Sequence, residues 1–347
     1  MRRFTSLSCW VWLLLWWGTT ALAEPPAIEP NVSIAFVGDI LLDDMPGRVV
    51  KRGRDPFVPF AKILSSADIR VGNLECVIAT VGKADPGKPF SFRAHPRTLK
   101  VLKRHFDAVA LANNHSGDFG PAAFVQMLGL LQANGIGYFG GGKTLTEAHR
   151  PLLIERNGLK IALLGYNEFF PRRFEAETER PGIAWSEDEQ VILDITNARK
   201  MYSADLVIPM MHWGWEHEPL ASERQRQLAR RMIDAGADAV VGGHPHVTQD
   251  IETYRGKPII YSLGNFVFDG FKDEDNNTGW LLQMDLDRLG VRTWNIYVAR
   301  IDREGIPHPK TGKPGLCWGR YVGARVECEE GELLSATPLS VRRASRP

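Results

Sequence analysis

The chain has 347 residues, of which 44% are hydrophobic and 24% charged, with 42 Lys and Arg against 41 Asp and Glu. That composition is globular and excludes a disordered, collagen-like or polytopic membrane protein. A net charge of +1, with no basic run longer than three residues, leaves no footprint for nucleic acid, which is not expected as a partner.

Residues 1–23 carry Arg2 and Arg3, an apolar Trp- and Leu-rich stretch from Cys9 to Gly18, and Ala21-Leu22-Ala23 before Glu24. This reads as a secretory signal with a small-x-small cleavage site. Cleavage leaves 324 residues with a net charge of −1. An uncleaved anchor is the alternative, although a spanning helix wants about 20 apolar residues. Either way the chain is expected to be exported, periplasmic or at the cell surface. The Pro-rich 24–31 segment reads as a linker, 32–303 as one main domain, and 304–347 as an irregular C-terminal extension. In an oxidising compartment Cys317 and Cys328 are suited to a local disulfide, and Cys76 is expected as a buried small hydrophobe.

From residue 32 onwards one event recurs: a short apolar run stops at a polar loop. Residues 32–37 run into Gly38-Asp39, 69–71 into Gly72-Asn73-Leu74-Glu75, and 108–111 into Asn113-Asn114-His115. Residues 206–211 end at His212, and 239–241 at Gly242-Gly243-His244-Pro245-His246. Such runs are the pattern of buried strands. Helical patterns lie between them at 57–64, 97–104, 121–134, 188–202 and 222–235, the last opening on Ser222 as a cap. Alternating strands and helices predict a largely parallel sheet covered by helices. Asn157-Gly158 and Arg255-Gly256 mark two hairpins. Strands over 280–287 and 291–301 bring the number to enough for two sheets in a single α/β domain.

In a parallel α/β sheet, ligands bind beyond the carboxyl ends of the strands. Asp39, Asn73, Glu75, Asn114, His115, His212, His244 and His246 all follow apolar runs, so these side chains should collect at one edge. Carboxylate, amide and imidazole together suit a manganese, zinc or iron class ion rather than calcium or magnesium. His244 and His246 need a bent loop to face one cation cluster, because extended backbone sends alternate side chains to opposite sides. The other histidines, His95, His105, His149, His217 and His308, are expected on surfaces or loops. The aromatic loop that follows His212 suggests a substrate wall, with Trp213 as the candidate contact.

Seven stretches appear in a fixed order: Val37-Gly38-Asp39, Gly72-Asn73-Leu74-Glu75, Phe92-Arg93-Ala94, Leu111-Ala112-Asn113-Asn114-His115, His212-Trp213-Gly214, Gly243-His244-Pro245-His246 and Ser262-Leu263-Gly264-Asn265-Phe266. In them the chain resembles the CapA family of capsule synthesis proteins associated with poly-γ-glutamate, within the calcineurin-like metallophosphoesterase superfamily. The resemblance implies a four-layer α/β/β/α sandwich with one or two divalent ions, of the manganese, zinc or iron class, at the strand ends. It implies Asp39 and His246 as ligands of one ion, Glu75 as a bridging carboxylate, and Asn114, His212 and His244 as ligands of the second. His115 resembles the histidine that protonates a leaving group or steadies an oxyanion. The phosphoesterase pattern has Asp-x-His in its first motif, whereas here Leu41 stands two residues after Asp39, so the first ion lacks that imidazole.

The expected chemistry is metal-assisted hydrolysis of an amide or ester, with Arg93 as a candidate bidentate contact to an anionic substrate. The leading expectation is an exported CapA-like hydrolase acting in synthesis, transfer or trimming of a capsule-type polymer such as poly-γ-glutamate. The alternatives are a non-catalytic accessory subunit of a membrane-bound polymer synthase and export complex, and a phosphoesterase acting on small esters.

Overall fold

The computed structural model describes residues 31–311, 313, 315–319 and 332–333. The leader, nearly all of the linker, and Cys328 with its expected disulfide lie outside the described residues. In chain order the principal elements begin with β1 (Val32–Ile40), α1 (Asp44–Lys51), β2 (Ile69–Leu74), α2 (Leu99–His105), β3 (Ala108–Ala110), α3 (Gly120–Ala133) and β4 (Gly137–Phe139). Then come β5 (Leu152–Arg156), β6 (Leu159–Asn167), α4 (Asp188–Lys200), β7 (Leu206–His212), α5 (Glu223–Asp234) and β8 (Val240–Gly243). The series closes with β9 (Ile251–Tyr254), β10 (Lys257–Ile260), β11 (Asn265–Val267), β12 (Thr278–Asp287) and β13 (Gly290–Ile301).

Two sheets form. In the larger, β13, β12, β1, β2, β3 and β4 lie side by side; β1 to β4 run parallel, and β12 and β13 return antiparallel. In the smaller the order is β9, β10, β8, β7, β6, β5, with a parallel centre and an antiparallel hairpin at each edge. The hairpin turns are those expected: Asn157-Gly158 and Arg255-Gly256 all adopt positive φ, as a two-residue type I′ connection requires.

Apolar residues on both faces of β1 explain the layering. Ile34 and Phe36 join Ile69, Val71, Ile161, Leu163, Ile208 and Val241 in a core between the sheets. Ala35 and Val37 face the other way, with Leu102, Phe124, Met127 and Leu131 from α2 and α3. A third cluster seats Val191, Ile195, Leu228 and Met232 of α4 and α5 on the outer face of the smaller sheet. The architecture is therefore helix, sheet, sheet, helix, as a strand buried on both faces requires. Ser222 caps α5 in a complete capping box with Gln225.

Several expectations change. The 57–64 helix is a 3₁₀ turn, Val58–Phe60, followed by the single turn Ala61–Leu64. Helix α1 has no clean sequence signature, because Pro46 and Gly47 punctuate it. The boundary after residue 303 falls inside the larger sheet: Pro307–Pro309 and Leu316–Gly319 both pair with β13. His105 is buried and hydrogen-bonded to Asp55 at 3.0 Å, which places it in the core rather than on a loop. Cys76 is buried, as expected, and burial pushes its thiol pKa up. No helix among the described residues is long and apolar enough to cross a membrane.

Candidate metal centre

The carboxyl ends of β1, β2, β7 and β8 meet where the two sheets abut, and each delivers one polar group or more. Asp39 lies near the end of β1, with its backbone N–H donating to Gly264 O at 3.0 Å. A Cβ on the neighbouring Gly38 would stand 1.9 Å from that same carbonyl, so only glycine permits the approach. Asn73 on β2 donates to Asp39 Oδ1 at 2.8 Å, and its amide also lies 3.2 Å from His212 Nδ1. Glu75 directly follows β2, and His212 is the last residue of β7. After β8 the backbone bends at His244 (φ 98°) and His246 (φ 56°), the bent loop needed to face both imidazoles inward. Positive φ is costly for such residues and persists where the surroundings enforce it.

Asp39, Glu75, His212, His244 and His246 are all buried. Their ligand atoms fall into two groups that share one member. Glu75, His212 and His244 form one; Asp39, Glu75 and His246 form the other; within each, the ligand atoms lie within 4.8 Å of one another. His212 Nε2 is 3.1 Å from His244 Nδ1 and 2.8 Å from Asn114 Oδ1. Atoms bound to one ion at about 2.1 Å stand about 3.0–3.4 Å apart, so this packing is close to that of a ligand shell. Glu75 Oε1 is 3.7 Å from both His212 Nε2 and His246 Nε2.

Both oxygens of Glu75, and His244 Nε2, are buried without any hydrogen-bond partner. Such groups are costly unless something else satisfies them. Burial raises the Glu75 carboxyl pKa well above its ordinary value, and the charge of Asp39 adds to the rise. Burial likewise lowers His212 and His244 well below the usual imidazole value, with the neighbouring histidines contributing. Neutral imidazoles around two crowded carboxylates and an amide oxygen are a donor set that fits a divalent cation. Asn265 Oδ1, 2.8 Å from His246 Nδ1, fixes that ring's orientation.

His115 lies beside the cluster rather than in it. Its Nδ1 is 2.7 Å from Asp118 Oδ2, its ring packs on Phe92 with centroids 4.5 Å apart, and burial lowers its pKa against the pull of Asp118. His115 and Asn114 line a cavity of about 660 Å³ together with segments 83–90 and 169–175.

The two substrate-contact expectations fare differently. Trp213 is fully buried, and its indole N–H donates to Tyr261 O at 2.9 Å. It is a core side chain of the outer cluster, not a wall of the site; the exposed aromatic of that loop is Trp215. Arg93 places its guanidinium over the Phe119 ring at 4.3 Å and donates to the Val81 and Gly82 carbonyls, so it braces the 81–82 turn. It is not among the residues lining the cavity at His115. Sequence reading missed Lys88 and Asp118. Asp118, three residues past His115, was detectable as a partner at short spacing, whereas Lys88 sits in a Pro- and Gly-rich loop without any periodic signal.

The family model described as "Bacterial capsule synthesis protein PGA_cap" matches residues 33–270, the span that carries every ligand candidate. The chain belongs to this family. Among its relatives, the PGA biosynthesis protein CapA of Bacillus subtilis (strain 168) is 35% identical over 83% of this chain and 77% of its own. The capsule biosynthesis protein CapA of Bacillus anthracis is 32% identical over 85% and 74%. Solved structures are more distant. NAD nucleotidase (NadN) of Haemophilus influenzae aligns with TM-score 0.43 at 14% identity, over 81% of this chain and 54% of that one. The PGA_cap match and the two Bacillus relatives agree with the resemblance drawn from the seven motifs.

Proposed function

We propose that this PGA_cap protein acts in capsule polymer synthesis as an exported, metal-dependent hydrolase that cleaves or trims an anionic polymer of the poly-γ-glutamate type. The observation that carries the reading is Glu75: a buried carboxylate, without hydrogen-bond partners, shared by two convergent three-residue groups. Asp39, Glu75 and His246 would hold one ion, and Glu75, Asn114, His212 and His244 a second. A divalent ion held there supplies Lewis-acid polarisation of the bond under attack and lowers the pKa of a coordinated water. The protein's own contribution is positional. Asp118 accepts from His115 Nδ1–H, leaving Nε2 of that ring to hold or deliver a proton at the departing group. Burial of these side chains strengthens each charge interaction among them.

The names of the Bacillus relatives support the polymer, and the leader-like 1–23 segment supports export. The name of the Mycobacterium tuberculosis relative, "Probable polyglutamine synthesis accessory protein Rv0574c", 32% identical over 59% of this chain, favours a second reading as a non-catalytic partner of a synthase complex. One experiment separates them. His115→Ala in manganese-loaded protein should lower turnover of γ-glutamyl oligomers by about 10²–10⁴-fold with metal content unchanged. Wild-type protein that binds metal but cleaves neither γ-glutamyl oligomers nor phosphate esters would establish the accessory reading instead. Rapid cleavage of phosphate esters alone would establish a phosphoesterase.

A further inference from the structure

Segments 83–90 and 169–175 line the cavity that reaches His115, and they touch through an ion pair between Arg173 and Asp85 at 3.2 Å. Four cations line this space: Lys83, Lys88, Arg172 and Arg173. Arg172 is taken up by Glu175 and Glu187, and Arg173 by Asp85. Lys88, itself paired with Asp118, differs from them in position. Its side chain is 18% exposed, and its ammonium lies 3.4 Å from His115 Nδ1, at the point where the cavity meets the metal centre.

A lysine ammonium has three N–H donors. One goes to Asn114 O at 2.6 Å and a second to Asp118 Oδ1. The imidazole nearby cannot take the third, because His115 Nδ1 spends its own proton on Asp118 Oδ2 at 2.7 Å. Asp118 also accepts from Phe92 N at 2.7 Å, and its carbonyl accepts from Asp85 N, so the loop carrying Lys88 is fastened to the residue that orients His115. The ammonium is thus held in place with one donor left over, beside a cavity large enough for a substrate.

We propose that Lys88 is a specificity-determining residue whose third N–H binds a carboxylate of the substrate while the scissile bond lies at the metal centre. This rests on the hydrolase reading above, and it commits that reading to substrates with a carboxylate next to the bond cleaved, as every γ-linked glutamyl unit has. Lys88 touches the substrate; Asp118 is a positioning residue that serves both Lys88 and His115.

The test compares a γ-glutamyl tetramer with its analogue in which the α-carboxylates are carboxamides. Binding of each to the full chain is measured by calorimetry, in metal-free and manganese-loaded protein, beside KM and kcat. Wild type should prefer the carboxylate form by about 10-fold or more, the scale of a hydrogen bond to a charged group. Lys88→Gln should bring that ratio to about one by raising KM for the carboxylate form, and Lys88→Arg should retain most of it. Equal loss for both ligands in Lys88→Gln, with the ratio intact, overturns the inference and leaves the hydrolase reading standing. A wild-type ratio of one overturns it without need of a variant, should Lys88→Gln fail to fold. Wild type that binds neither tetramer overturns the polymer reading itself, and the inference with it.

Discussion

Glu75 Oε1 stands 3.7 Å from His212 Nε2, yet neither oxygen of that carboxylate has a hydrogen-bond partner. The two residues come from different sheets, and no protein donor satisfies the carboxylate, which leaves its oxygens open to the divalent cation proposed for this site. Without one, Glu75 is a buried group whose charged form is disfavoured.

Glu75→Gln should therefore act on metal and stability in opposite directions. Bound manganese or zinc falls, measured by elemental analysis, and turnover falls by at least about 10²-fold, the contribution of a Lewis-acid centre of several kcal/mol. The metal-free melting temperature does not fall, because an unpaired buried carboxyl group has been replaced by a neutral amide. The rise in melting temperature that metal gives wild type is lost.

Asn265 meets His246 twice, with Oδ1 2.8 Å from its Nδ1 and Nδ2 donating to its carbonyl at 3.3 Å. Asn265→Ala should weaken metal binding about 10–100-fold, the usual effect of removing a group that orients a ligand. Titration with a competing chelator reads the affinity directly. Unchanged affinity would show that His246 is oriented by its packing on Phe268 and Phe271 instead.

Trp213→Phe removes the indole N–H bonded to Tyr261 O and trims a fully buried ring. A loss of about 1–3 kcal/mol in denaturant unfolding is expected from the unsatisfied carbonyl and the void. Turnover per folded molecule should stay within about twofold. A large rise in KM would restore Trp213 to the substrate site.

Asp188 opens α4 and pairs with Arg224 and Arg231 of α5. The hydrogen bond from Arg224, the strongest influence, holds its pKa below the ordinary carboxylate value. A depressed folded pKa gives stability that is present above the unfolded value of about 3.9 and is lost as pH falls through the folded one. Asp188→Asn should lower the melting temperature by about 2 °C at pH 7, the scale of a screened surface pair. The gap between variant and wild type should close as pH falls through the lowered folded value.

Much of the fold was legible because its central strands are buried on both faces. Residues 32–37 and 206–211 read as continuous apolar runs, and each meets a polar residue, Asp39 or His212, at or near the end of its strand. The same strand-end logic points to Asp39, Glu75, His212, His244 and His246, which the fold brings together. Where local sequence conflicts with tertiary context, the reading failed. Pro46 and Gly47 hid α1; the apolar 57–64 run folded as two short turns; His105, polar and late in its helix, found a buried partner in Asp55. Trp213 looked like a site residue only because it follows His212, and in extended backbone successive side chains point to opposite faces.

The amino-acid order alone determined the layered α/β class, the strand-end position of the polar groups and the family resemblance, since hydrophobic periodicity and turn chemistry are local properties of the chain. Only the tertiary structure decided which of those groups share a centre. Asp39 and His244 are 205 residues apart in sequence and become neighbours when β1 and β8, strands of different sheets, bring their ends together. Bonds from Lys88, Asp85 N and Phe92 N to Asp118 set Lys88 beside His115, and the helices on the outer face of the smaller sheet bury Trp213, because no local pattern records which loop a folded neighbour will meet.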